Sequence, residues 1–228
     1  GDGIGDICET IKAGDQMVDI DGNIYNTLVI GTQTWTVENL KTTKLNNTAS
    51  ISLVSDQAAW AATNSPAYCW YKNEELTYKE PFGALYNWYT VNTGLLCPVG
   101  WHVPSDEEWI TLENYLITNG YNYDNTKSGN KIAKSLASIN EWWYWNEPGT
   151  VGNTDFPAKR NCTGFTARPG RWRSETGEFL LSEFNDGGEG YWWSSTESSS
   201  SDAWHRRIFS QAVDVQRQSR PKGDGKAI

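Results

Sequence analysis

The chain has 228 residues, a formal net charge of −9 and 38% hydrophobic residues. This acidic balance argues against a nucleic-acid backbone or an anionic membrane surface as a partner, and no apolar run reaches the roughly 18 residues of a membrane span. Because 13 Trp and 11 Tyr stand beside few aliphatic residues, we expect a core of large aromatic rings with polar edges.

The first part of the chain divides into a polar leader, residues 1–17, and a domain that starts at residue 18. The alternating run 24–30 and the segment 34–37 flank a glycine-containing turn, which is typical of a β-hairpin. Because no linker composition follows, we expect residues 18–228 to form a single domain. Short helices are predicted over 56–61, 80–92 and about 128–138.

Residues 97–109, CPVGWHVPSDEEW, carry the densest structural signals of the chain. Pro98 and Pro104 restrict the backbone on either side of Trp101, which indicates a rigid corner. We expect His102, next to Trp101, to be a buried ring whose hydrogen bonds pin this corner.

The most strongly indicated helix, 105–118, follows directly. Ser105 can cap this helix, and Glu108 three positions later completes the spacing of a capping box. Acidic side chains in the first turn suit the positive end of the helix dipole. The apolar positions recur at helical spacing and predict a core-facing stripe: Trp109, Leu112 and Leu116.

The second half of the chain is rich in Gly, Asn and Trp and predicts short strands between loops. Strand fragments are expected over 163–168, 177–181, 190–196, 203–209 and 212–217. The loop-like segment 142–145 contains three Trp residues whose rings, if exposed, could stack on sugars: Trp142, Trp143 and Trp145.

The four cysteines, Cys8, Cys69, Cys97 and Cys162, lie far apart and form no C-x-x-C pair. This spacing argues against a structural zinc site. In an exported protein they could form disulfides, and all three pairings of four cysteines stay open.

Seven motifs, in order along the chain, resemble the Fibrobacter succinogenes major paralogous domain family, from residue 18 to the end. They lie at 19–35, 38–43, 68–71, 83–94, 97–109, 161–170 and 190–197. The resemblance implies an α+β, C-type-lectin-like fold in exported, often lipid-anchored surface proteins of Bacteroidetes-type bacteria. It thus implies an extracellular or outer-membrane location. It also implies that Trp192 and Trp193, in the last motif, belong to the core.

The piece WHVPSDEEW, 101–109, is also similar to a signature of the sulfatase-modifying, formylglycine-generating enzymes. Those enzymes use two reactive cysteines near their C-terminus, and no cysteine follows Cys162 here. The similarity therefore implies the fold and not the reaction. The resembled family usually ends in a V-R-C strand, and the chain ends at Ile228 where that strand would begin, which leaves the pairing of Cys97 open.

A lectin-like fold makes calcium the ion to consider, since acidic loops of that fold often bind it. Residues 153–155 and 186–189 offer oxygen ligands. Neither segment has the dense alternation of acidic residues that six to eight oxygen ligands would need. We therefore favour solvated turns at both places and expect no cofactor.

The C-terminal stretch 198–226 places polar residues within an apolar framework, and around 213–218 the two alternate as in a strand with one exposed face. In the lectin-like fold the last strands and loops form the ligand-binding face. The alternative is an ordinary solvated sheet face. The predicted ligand-binding residues are His205, Arg207, Ser210, Gln211, Asp214, Gln216, Gln218, Ser219, Arg220 and Asp224.

These features predict a non-catalytic surface protein that binds a protein or glycan on another cell or host surface. The layout also resembles retroelement-diversified receptor proteins, in which a fixed scaffold carries a hypervariable C-terminal face. Two alternatives belong to other classes: an enzyme, related to the sulfatase modifiers or a carbohydrate hydrolase, and a structural subunit of a surface fibre.

Overall fold

Short strands, short helices and long loops make up the computed structural model, which describes residues 11–179 and 188–228. The helices are α1 (Gln57–Ala61), α2 (Glu75–Phe82), α3 (Trp88–Val91), α4 (Asp106–Thr118) and α5 (Ala133–Leu136). The first eight strands are β1 (Lys12–Ala13), β2 (Met17–Val18), β3 (Ile24–Tyr25), β4 (Thr27–Ile30), β5 (Gln33–Thr36), β6 (Ser52–Leu53), β7 (Ala67–Cys69) and β8 (Leu85–Asn87). The last four are β9 (Glu189–Glu197), β10 (Asp202–Phe209), β11 (Gln216–Pro221) and β12 (Gly225–Lys226).

The strands form small, mostly antiparallel sheets, and this mixture confirms the predicted α+β class. Their orders are β1-β4-β5, β2-β3, β12-β8-β7-β6 and β11-β10-β9. Aromatic rings from distant segments fill the space between sheets and helices, as the composition indicates: Trp35, Trp109 and Trp192 lie in one core cluster, and Trp88 and Trp193 in another. Among the described residues, no helix is both long and apolar enough to cross a membrane.

The N-terminal hairpin is confirmed as β4 and β5, with Leu28 opposite Trp35. Residues assigned to the leader also take part in this fold. Strand β1 pairs with β4, and Met17 is buried opposite Tyr25. The ordered pairing therefore extends upstream of residue 18, at least to Lys12.

Helix α4 confirms the helix predicted after the corner. The Ser105 hydroxyl accepts from the Glu108 backbone N–H, and the Glu108 carboxylate accepts from the Ser105 N–H at 2.7 Å. This reciprocal pair satisfies two backbone donors that a helix start leaves unpaired. The predicted stripe faces the core, where Trp109, Leu112 and Leu116 are buried.

His102 is exposed, so the prediction of a buried ring is wrong. Its neighbours Trp101 and Val103 both pack into the core, and successive side chains of an extended segment point to opposite sides. The His102 side chain therefore points outward, and its Nε2 lies 2.8 Å from a carboxylate oxygen of Glu108.

Two predicted helices are shorter than expected. The span 80–92 contains the end of α2, then β8 and α3, instead of one helix, because Gly83 adopts a φ of 72°. A Cβ there would lie 2.6 Å from the Leu40 backbone oxygen. The helix predicted at 128–138 is reduced to α5, whereas the one at 56–61 is confirmed as α1, with Asp56 as its cap.

Two of the strand predictions in the second half are confirmed over their full length. The predictions at 190–196 and 203–209 are confirmed as β9 and β10. Residues 163–168 form a loop with one bridge from Ala167 to Ala137. Of the strand predicted at 177–181, the described part, 177–179, has one bridge from Phe179 to Arg173, and 180–181 lie outside the described residues. The strand predicted at 212–217 begins only at Gln216, because Asn130 holds the Val215 backbone in a turn through two hydrogen bonds.

A buried ion network joins α4 to the C-terminal sheet. Arg206 in β10 donates to Asp106 at 2.7 Å and to Glu113 at 2.5 Å. Arg217 in β11 donates to both carboxylate oxygens of Asp106. Burial alone would raise the pKa of Asp106, but the bonds from Arg217 and Arg206 outweigh it and hold that pKa below its usual range.

We expect Arg206→Met to destabilise the fold by about 3–5 kcal/mol, because it leaves the half-buried Glu113 without a cation and the buried Asp106 with Arg217 alone. Urea unfolding measures this loss. Arg217→Ala is the matched control, since Arg217 binds the same Asp106 but its side chain is 40% exposed, and it should cost below about 1 kcal/mol. Equal losses in the two variants would contradict the proposed role of the buried network.

The cysteines of the described core do not bear out the expected disulfides. Cys69 and Cys97 are buried free thiols, and burial raises the pKa of each to about 12. Cys162 is half-buried, and Cys8 lies outside the described residues. A buried structural cysteine behaves as a small apolar side chain, so both thiols act here as packing groups.

Iodoacetamide should therefore leave Cys69 and Cys97 unmodified in the native protein and alkylate both in urea, because the thiolate is the reactive form. Peptide mapping by mass spectrometry distinguishes the two sites. Rapid native alkylation of either thiol would contradict its placement in the core.

Candidate ligand-binding face on the C-terminal sheet

The register of the C-terminal sheet brings four of the predicted binding residues to one face. Arg207 lies opposite Gln216, and Arg220 lies opposite Ala203 four residues before Arg207. Directly opposed residues share a face, and so do alternate residues of one strand. We call Arg207, Gln216, Gln218 and Arg220 the polar row.

Side-chain contacts fix the orientation of the polar row. The Gln218 amide donates to the Gln216 carbonyl oxygen at 3.1 Å, and Arg207 donates to the same oxygen at 3.4 Å. Arg207 also forms an ion pair with Glu189 in β9. The result is a connected set of polar groups rather than independent surface side chains.

Aromatic rings lie beneath the two guanidinium groups. The Arg207 guanidinium lies 4.3 Å from the Phe209 ring centroid, and that of Arg220 lies 4.9 Å from the Trp172 centroid. Such stacking holds a guanidinium plane in place and leaves its edge free for hydrogen bonds.

On the same side of the sheet as the polar row lies a buried lysine in an aromatic cage. The Lys226 ammonium lies 4.2 Å from the Trp193 centroid and 4.7 Å from that of Trp172, and it is 2.6 Å from an Asp224 carboxylate oxygen. Burial lowers the pKa of Lys226 to about 8, partly offset by Asp224. Lys226 thus braces Trp172, on which Arg220 stacks.

Three of the predicted binding residues are buried, so the expectation that they are exposed is wrong. His205 lies between the Tyr191 and Trp193 rings, at 5.8 and 6.0 Å between centroids. The Ser210 hydroxyl donates to the Gly188 carbonyl oxygen, and the Asp224 carboxylate accepts from the Lys226 ammonium. His205 and Ser210 are therefore covered by β9 and the residues around it, and Asp224 by its own neighbour Lys226.

The other three predicted residues do not belong to the polar row. Ser219 is exposed on the opposite face, where its hydroxyl contacts Ser198 at 2.5 Å. Gln211 and Asp214 are half-buried in the turn between β10 and β11.

Sequence reasoning missed Trp172 and Glu189 as parts of this face. Both lie well upstream of the strand pair that carries the polar row. No local pattern links them to it, since their contacts depend on how the chain returns to the sheet.

The aromatic segment 142–145 lies beside the same sheet. Trp142, Trp143 and Trp145 are half-buried, and Trp142 donates its indole N–H to the Ala167 carbonyl oxygen at 3.2 Å. A Cβ at Gly152 would lie within 3 Å of both the Trp145 nitrogen and the Ser210 oxygen. This close approach places the segment against the β10–β11 turn.

The oxygens of the segment 153–155 bind a lysine of the chain. The buried Lys134 ammonium donates to the carbonyl oxygens of Asn153, at 3.0 Å, and Asp155, at 2.7 Å, and pairs with the Asp155 carboxylate. Of the second calcium candidate, 186–187 lie outside the described residues, and Glu189 pairs with Arg207. Within the described ranges, no group of three or more His, Cys, Asp or Glu could hold a metal ion.

The architecture defines a mixed α+β domain with small antiparallel sheets, whose last sheet presents a braced polar face. The chain belongs to the Fibrobacter succinogenes major domain family, whose model matches residues 28–227. This match confirms the resemblance seen in the sequence motifs. Searches of curated proteins and of solved structures returned no match.

The buried His205 makes stability depend on pH. Its pKa is lowered to about 2, first by burial and then by the charges of Lys226, Arg220, Arg207 and Arg206. An unfolded histidine titrates near 6.5, so between these values the unfolded chain binds a proton that the folded chain does not.

The free energy of unfolding should fall by about 1.4 kcal/mol for each pH unit below about 6.5. Urea unfolding at a series of pH values measures this slope. The comparison is His205→Leu, which keeps a similar volume and removes the titrating group. Asp224, whose pKa burial raises, contributes with the opposite sign in both proteins. The same slope in both would contradict the assignment to His205.

Proposed function

We propose that this protein is an exported bacterial surface protein that binds a protein or glycan ligand, without catalysis, through the polar row. The observation that carries the proposal is the cross-strand alignment of Arg207, Gln216, Gln218 and Arg220 on one braced face. The resembled family, with its exported and lipid-anchored surface proteins, supports the location.

The rigidity of this face favours binding. Ordering long side chains costs conformational entropy on association, and a surface whose side chains are already held loses less. Arg207 is held by Glu189, Gln216 and the Phe209 ring. Arginine is also enriched among residues that dominate binding energy at interfaces.

The positive charge of Arg220 on this face indicates the chemistry of the ligand. Arg220 is exposed, stacks on Trp172 and forms no ion pair with any residue that the structure describes. A stacked guanidinium presents parallel N–H donors that match a carboxylate. The neighbouring amides of Gln216 and Gln218 add neutral donors and acceptors. We therefore infer a carboxylate-bearing ligand, either an acidic protein segment or an acidic sugar.

The proposal includes a C-type-lectin-like scaffold whose C-terminal face differs between sibling proteins, as in retroelement-diversified receptors. The ion-paired Arg206 and the caged Lys226 belong to this scaffold, whereas Gln216, Gln218 and Arg220 do not support the core. Comparing sibling genes tests this point: variation should concentrate at the polar row and spare Arg206 and Lys226.

The direct test is a glycan and surface-protein array probed with the purified chain and a variant that changes Arg207, Gln216, Gln218 and Arg220 to Ala. We expect an array ligand for the native chain and at least about a tenfold loss of affinity in the variant, since truncated interface arginines commonly cost 1–2 kcal/mol or more.

The control variant is Lys12→Ala with Gln57→Ala, which removes one charge and one amide at exposed positions outside the C-terminal sheet. It should bind as the native chain does. Unchanged binding of a carboxylate-bearing array ligand by the four-residue variant would reject the polar row as the site.

A further inference from the structure

A second concave site lies away from the polar row, between the N-terminal hairpin and the corner at 97–109. It is a cavity of about 930 Å³, a size that suits a small-molecule ligand. None of the four polar-row residues lines it. Its aromatic wall comes from four separate segments: Trp35, Trp101, Trp109, Phe165, Trp192 and Trp193.

Three of these rings pack against one another as one wall of the cavity. The Trp35 centroid lies 4.9 Å from that of Trp109 and 5.9 Å from that of Phe165, and the last two are 6.2 Å apart. The rings are tilted against each other. They provide a broad apolar surface on which the flat C–H face of a ligand can pack.

Two indole groups in this wall have unused donors. The Nε1 atoms of Trp35 and Trp109 are buried, and neither has a hydrogen-bond partner among the described residues. By contrast, Trp192 donates to Asn39 and Trp193 donates to the Tyr86 carbonyl oxygen, each at 2.9 Å. A buried donor without an acceptor is unfavourable, so a ligand that brings acceptors would satisfy both.

The polar residues that line the cavity restrict the charge of a ligand. Asp15, Glu38 and Glu108 contribute carboxylates, which repel an anion. Glu38 already accepts from the Asn26 backbone and side chain, and Glu108 already binds Ser105 and His102. A cation offers no acceptor to the indole donors. A neutral ligand with several acceptor oxygens and an apolar face fits all of these conditions.

We propose that this cavity binds a neutral mono- or disaccharide. Its C–H face packs on the Trp rings, and its ring or hydroxyl oxygens accept from the Trp35 and Trp109 indole N–H groups. This site is separate from the polar row, so the two can be lost independently.

The test is titration with glucose, galactose, N-acetylglucosamine, lactose and maltose, followed by tryptophan fluorescence and saturation-transfer NMR. Glucuronate and choline serve as the anionic and cationic comparators. We expect at least one neutral sugar to bind below about 50 mM, and both comparators to bind more weakly or not at all. No response to any neutral sugar, or a response to glucuronate or choline alone, would overturn the proposal.

Two variants locate the site. Trp35→Phe removes one free indole donor and keeps a ring, and Trp101→Ala removes a half-buried ring and leaves the tilted three-ring wall in place. Each should weaken sugar binding by at least about tenfold.

The matched control is Trp60→Phe, at a buried Trp outside the cavity whose indole already donates to the Gly223 carbonyl oxygen. This control and the four-residue polar-row variant should both keep sugar binding. Near-ultraviolet circular dichroism establishes whether each variant is folded. If Trp35→Phe does not fold, Trp101→Ala alone tests the site. Sugar binding that survives Trp101→Ala, or that is lost in the polar-row variant, would overturn this assignment.

Discussion

The Asp106 carboxylate is the group on which the C-terminal half of the structure depends. It lies in the first turn of α4, where the helix dipole favours a negative charge, and it accepts from Arg206 in β10 and Arg217 in β11. One carboxylate therefore fixes a helix against two neighbouring strands. Glu113, two turns further along α4, shares the Arg206 charge. Removing either partner of a buried pair costs more than the pair contributes, so this network sets the packing of the sheet on the helix.

The two faces of the C-terminal sheet differ: one packs on α4, and the other carries the polar row. Arg206 and Arg217 point toward α4, and the alternation of the strands turns Arg207, Gln216, Gln218 and Arg220 the other way. On that side the caged Lys226 and the rings of Trp172 and Phe209 brace the polar row. Contacts on its own side of the sheet therefore hold the polar row in place, while the Asp106 network fixes the sheet from the other side.

Local chemistry made some of these features predictable from sequence. The capping box of Ser105 and Glu108 depends on residues three apart, and α4 forms where it indicates. The polar row is visible as alternation, but a turn held by Asn130 delays the start of β11. His205 fits the same alternation and is nevertheless buried, because Tyr191 and Trp193 cover it. Such long-range contacts carry no local signal, and the aromatic cavity is hidden in sequence for the same reason.

Amide hydrogen exchange in Arg217→Ala tests most directly whether Asp106 holds β11, the strand that carries Gln216, Gln218 and Arg220, in the sheet. Exchange reports local opening separately from global unfolding. The amides of β11 that bond to β10 should exchange several-fold faster than in the native chain, while those of β9 and of β8 in the other sheet keep their protection. Unchanged protection of β11, or a uniform loss across all three strands, would contradict this account of how the face is supported.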